Sequence, residues 1–172
     1  LGYPVPPDMM QRGAAFLSAY VERPASSLSG ARDRANAIYL LTRMGLVTTN
    51  HLVDLEENLN LNFKDYWKTD ILASYMAATY QLLQKDQEES KLIDGYKLNS
   101  EKHQELSDFH SVCSIDAQHI YLLSKHFEGK ARDLHGDEIH QLTDKIFRGE
   151  YNTISSAYSI MALGAYSKLV LS

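Results

Sequence analysis

The chain has 172 residues, 44% of them hydrophobic, which is enough apolar material for one domain with a sizeable core and too little for two ordinary ones. A net charge of −5 argues against nucleic acid or an anionic membrane as a partner, since neither attracts an acidic surface. A single cysteine excludes an internal disulfide, and no apolar run is long enough for direct membrane insertion.

Pro6-Pro7-Asp8 suits a helix start, because proline is tolerated in a first turn and a carboxylate there opposes the positive end of the helix dipole. Met9, Ala14, Phe16, Leu17, Tyr20 and Val21 form the apolar face of this first helix, and Arg23-Pro24 ends it. A Ser-rich connector leads to a second helix from Ala31 to Met44, closed by Gly45. Thr48 or Thr49 offers an N-cap for a third helix that carries Leu52, Leu55 and Leu59 and ends among Asn58, Asn60 and Asn62. Trp67 and Lys68-Thr69-Asp70 lead into a fourth, whose stripe runs through Ile71, Leu72, Tyr75, Met76, Thr79, Leu82 and Leu83.

Asp86 can cap a short fifth helix that ends near Gly95. The polar stretch from Lys97 to Asp108 reads as a connection. Ser114 offers the cap for a sixth helix that stops at Phe127 before Gly129. Leu134, Ile139, Leu142 and Ile146 mark a seventh, stopped by Gly149, and Asn152 or Thr153 caps the last, from Ile154 to Leu171. Hardly any segment alternates with a period of two, so an all-α fold of about eight helices is expected.

Four of these helices look alike. Arg34-Ala35-Asn36-Ala37-Ile38-Tyr39-Leu40-Leu41 and Asp116-Ala117-Gln118-His119-Ile120-Tyr121-Leu122-Leu123 agree at five of eight positions. The segments around Tyr75 and Met161 follow the same pattern more loosely. The equivalent core positions Tyr39, Tyr75, Tyr121 and Met161 lie 36, 46 and 40 residues apart, the interval of a repeated helix pair. Each such unit must bury its apolar face on its neighbours, so an array of stacked helical hairpins, solenoid or toroid, is expected.

The motifs of chemistry are missing. His135 and His140 are five residues apart, which does not place them on one helix face as a zinc-binding helix requires. Asp116 and His119, at i and i+3, read as a capping and surface pair. The adjacent carboxylates Glu56-Glu57 and Glu88-Glu89 point in different directions on a helix and read as solvated faces. Cys113, with His110 three residues before it, is the one candidate nucleophile, and as a lone cysteine in a polar connection it reads as incidental. Phosphate loop, nucleophile elbow and dinucleotide fingerprint are all absent, so catalytic, cofactor-binding and metal residues are expected to be none.

Gly2-Tyr3-Pro4-Val5-Pro6-Pro7-Asp8-Met9-Met10, the helix Arg34 to Arg43, and Tyr151-Asn152-Thr153-Ile154-Ser155-Ser156-Ala157-Tyr158 with Ala162-Leu163-Gly164-Ala165-Tyr166 carry a resemblance. Over nearly its whole length and in order, the chain resembles the thioester-domain region of bacterial alpha-2-macroglobulin-like proteins. The resemblance implies an α/α toroid, here an incomplete ring: residues 1–172 would be a single domain, the C-terminal part of the thioester-type domain. It also implies a periplasmic or cell-envelope parent, often an inner-membrane lipoprotein, that traps proteases once they cleave a bait segment. The partners would then be proteases and the other domains of the parent. Many members carry Cys-x-Glu-Gln, whose cysteine sulfur is acylated by the glutamine side chain. Cys113 is followed by Ser114-Ile115-Asp116 and lacks the Glu-Gln partner, so a thioester lies upstream or the parent has none. The expected role is therefore structural and non-enzymatic, supporting such a region. The alternative is a helical-repeat scaffold that binds a protein partner without thioester chemistry.

Overall fold

The structure is a computed structural model that describes residues 4–64, 66–85, 91–100 and 102–171. Every regular element among these residues is helical: α1 (Pro7–Val21), α2 (Leu28–Arg43), α3 (Thr49–Asn62), a 3-10 turn (Tyr66–Thr69), α4 (Ile71–Leu82), α5 (Val112–His126), α6 (Glu128–Arg132), α7 (Gly136–Phe147) and α8 (Thr153–Val170). Cα packing separates two compact units, residues 1–95 and 96–172.

In the first unit α2 is the hub, packing on α1, α3 and, most extensively, α4. Ser27 caps α2, its hydroxyl accepting the Gly30 N–H at 3.1 Å, so the helix starts a turn before the expected Ala31. Gly45 ends it with φ +81, a conformation that costs glycine nothing. Thr48 occupies the N-cap of α3, yet its hydroxyl pairs with Thr42 Oγ1 at 2.6 Å and ties α3 back to α2. Asp70 caps α4, accepting the Leu72 N–H, and residues 71–80 are all buried. Trp67, fully buried before α4, donates its indole N–H to Asn60 Oδ1 at 3.0 Å. By contrast, α1 buries only Val21. The expected Asp86 cap and the Glu88-Glu89 pair lie outside the described residues, while residues 91–93 are helical.

In the second unit the principal contact is α5 against α8. The expected Ser114 cap is displaced by one turn. Ser111 takes that role, accepting the Ser114 N–H at 3.2 Å, and Ser114 sits inside the helix, donating to the Phe109 carbonyl and accepting from Gln118 Nε2. Either serine suits the position locally; the chain entering from Phe109 leaves Ser111 in extended conformation, ψ 158, where a cap must be. Asn152 caps α8 by accepting the Ile154 and Ser155 N–H groups, and its own N–H donates in turn to Ser155 Oγ. Cys113, Ala117 and Ile120 of α5, Leu142 of α7 and Ala162 of α8 form the buried cluster, flanked by Leu98, Tyr121, Leu134, Ile139, Ile146, Tyr158, Leu163 and Tyr166. Residues 97–100 and 102–108 connect without regular structure, as expected.

Candidate functional site

The sulfur is the natural starting point. Cys113 is the second residue of α5, where the helix dipole alone would favour a thiolate. Burial overrides it: the side chain is 3% exposed, and desolvation pushes the thiol pKa up. The Ser159 hydroxyl lies 3.9 Å from its sulfur. The thiol is therefore a packing group in its own core.

Of the repeat-core positions, Tyr39 and Tyr75 meet in the first unit with ring centroids 5.6 Å apart and tilted by 58°, and both are buried. The Arg43 guanidinium lies 5.6 Å from the Tyr39 ring centroid. In the second unit Tyr121 is half-buried against the core cluster, and Met161 is half-buried on α8.

The two carboxylates at matching repeat positions, Asp70 and Asp116, are where the structure is most specific. Asp70, 0% exposed, is held by the Arg32 guanidinium in a two-point pairing, Nε to Oδ1 at 3.0 Å and Nη2 to Oδ2 at 2.7 Å. Asp116, 1% exposed, accepts the Tyr96 hydroxyl at 2.8 Å, the Asn99 N–H at 3.2 Å and Lys145 Nζ at 3.0 Å. Lys145 also donates to Asn99 Oδ1 at 2.7 Å. A carboxylate on an apolar stripe must find donors or give up its charge.

The reading of Asp116 and His119 as a surface pair is thus corrected: both are interior, and the Tyr96 ring lies over the imidazole with centroids 4.5 Å apart. Desolvation, reinforced by the charge of Lys97, lowers the His119 pKa to about 3, so the ring is neutral. Glu56 is likewise no free solvated acid, since it accepts the Tyr80 hydroxyl at 2.7 Å, whereas Glu57 is exposed. His135 at the N-cap of α7 and His140 on it are both exposed, and no group of three metal-ligating side chains occurs among the described residues. Arg32, Asn99 and Lys145 were missed in the sequence; the signal available was the pair of acids on apolar stripes, which demands partners without naming them.

Beside Lys145 lies an open cleft of about 410 Å³. Gln141, Asp144, Lys145 and Arg148 line it from one face of α7, opposite Asn99 and Ser100. Its charges balance locally, and no helix among the described residues is long and apolar enough to cross a membrane.

An all-α protein with ion-paired carboxylates inside its helical units and a desolvated, unactivated thiol is what these residues define. Its curated relatives are alpha-2-macroglobulins. The chain is 31% identical over 163 residues to alpha-2-macroglobulin of Rickettsia conorii, covering 95% of this chain and 9% of that protein. It is 32% identical over 173 residues to an alpha-2-macroglobulin homolog of Yersinia pestis, covering 98% and 9%. With alpha-2-macroglobulin of Pasteurella multocida it shares 29% identity over 153 residues, covering 86% and 8%. No family model and no solved structure matches the chain. The chain is thus related to bacterial alpha-2-macroglobulins along nearly all of its own length, as a fragment of such a protein that spans under a tenth of these relatives.

Proposed function

We propose that the chain is a non-enzymatic structural part of a bacterial alpha-2-macroglobulin-like protease trap. It forms an arc of the α/α toroid, the C-terminal part of the thioester-type domain, and residues 1–172 act there as one domain. The observation that carries this reading is the colinear similarity to bacterial alpha-2-macroglobulins over 86% to 98% of the chain, joined to an architecture built of helices among the described residues. Cys113 takes no part in capture, because a buried thiol without Glu-Gln two residues on has no acyl partner. The thioester, where the parent has one, lies upstream.

The helical body then has a mechanical role. Ion pairs and close packing stiffen the core of each unit, so the body shields a reactive region and moves with it after bait cleavage. Proteases and the other domains of the parent are its partners, and the parent works in the periplasm or cell envelope, in some branches as an inner-membrane lipoprotein.

The test is size-selective protection. The parent is incubated with an excess-free amount of a broad-specificity protease, and the activity left is read on a small chromogenic peptide and on a large protein substrate. Retained cleavage of the peptide with lost cleavage of the protein is expected. Equal activity on both substrates would remove the trap reading.

A further inference from the structure

Asp116 joins three pieces of the second unit that are far apart in sequence. It stands on α5, the Tyr96 hydroxyl and Asn99 N–H reach it from the connection that precedes α5, and Lys145 reaches it from α7. Asn99 is in the left-handed region, φ +55, which suits an asparagine in a turn that presents its N–H to the carboxylate. Lys145 closes the loop by donating to Asn99 Oδ1, so α7 and the connection are bonded to each other as well as to α5.

The apolar hold on α7 is thin: only Leu142 is buried, with Ile139 and Ile146 half-buried, while residues 96–100 are held by Leu98 against the core cluster and by Tyr96, buried with its ring over His119. The α5–α8 pair, by contrast, buries most of α5 and carries the dominant contact of the unit. Segments with few buried apolar groups open first.

We propose that the Asp116 node is a latch: residues 96–100 and α7 form one strap that opens and closes together over a permanently packed α5–α8 core, with the Lys145–Asp116–Asn99 triangle as its fastening. The cleft between Asn99, Ser100 and the polar face of α7 is the seam along which the strap parts. Charged groups around that seam are Asp144, Arg148 and Glu150, and Lys97 lies near His119. The latch stands on geometry inside the second unit and does not depend on the protease-trap reading.

Hydrogen exchange of the full-length protein, read at single-residue resolution, tests it. In Lys145→Met, which keeps most of the length of the side chain and removes its charge, amides of α7 and the Asn99 amide are expected to exchange faster together, by roughly tenfold to a hundredfold, with amides of 117–124 unchanged. Faster exchange in α7 alone, with Asn99 unaffected, would overturn the coupling. Asp116→Asn is the second variant, cutting the same node from α5, and it must give the same pair of segments. A rise that spreads equally through α5 and α8 would show that the node holds the whole core and is no latch.

Discussion

Burial of ionisable groups sets the character of single residues here. His119 is enclosed against the Tyr96 ring and stays neutral down to about pH 3, whereas in an unfolded chain it takes a proton near 6.5. Between these values the unfolded state binds the additional proton, so the stability that neutral His119 contributes is whole above pH 6.5 and is lost as pH falls toward 3. A slope of at most about 1.4 kcal/mol per pH unit is expected from this one group. Urea denaturation at pH 7, 6, 5 and 4 should show His119→Gln declining less steeply than the parent by about one proton; identical slopes would mean that the folded protein protonates His119 readily. Arg32 and Asp70 follow the other rule. Their two-point pairing satisfies both buried charges, and removing one partner of such a pair costs about 3–5 kcal/mol, mostly by stranding the other.

Helix ends decide how the elements are joined. Ser27, Asp70, Ser111 and Asn152 each accept a backbone N–H at a helix start, and Gly45 and Gly149 close α2 and α7 at φ +81 and +77. Gly95 has a different reason to be glycine. A Cβ there would overlap the Lys68 carbonyl, so the backbone at the end of the first unit lies flat against the 3-10 turn that precedes α4. Gly95→Ala is expected to destabilise by about 1–3 kcal/mol, because the obstacle is main chain and cannot rotate away. Chemical denaturation measures this directly. An unchanged midpoint would show that the turn moves freely to admit a methyl group.

Across the whole molecule, the single cysteine of the chain lies buried in the core of the second unit. Methylamine attacks a thioester carbonyl, forms the amide and releases the cysteine thiol. With Cys113→Ser in the parent, one new titratable thiol after methylamine is expected when an upstream thioester is present; no new thiol would place the parent in the branch that works without covalent capture.

Helix positions, most stops and the helical make-up of the described residues are local properties, and the spacing of apolar and capping residues was enough to read them. So was the departure of Cys113 from the Glu-Gln pattern. The first misreadings came where two local signals competed, as with Ser111 and Ser114, either of which can cap a helix. The larger ones concerned partners. Periodicity tells which face of a helix turns inward, but not that Asp70 meets Arg32 from 38 residues away or that Asp116 meets Lys145 from 29 residues away. Those pairings depend on how helices are placed side by side, and it is their desolvation, absent in any isolated helix, that turns an expected surface pair, Asp116 and His119, into the polar centre of the second unit.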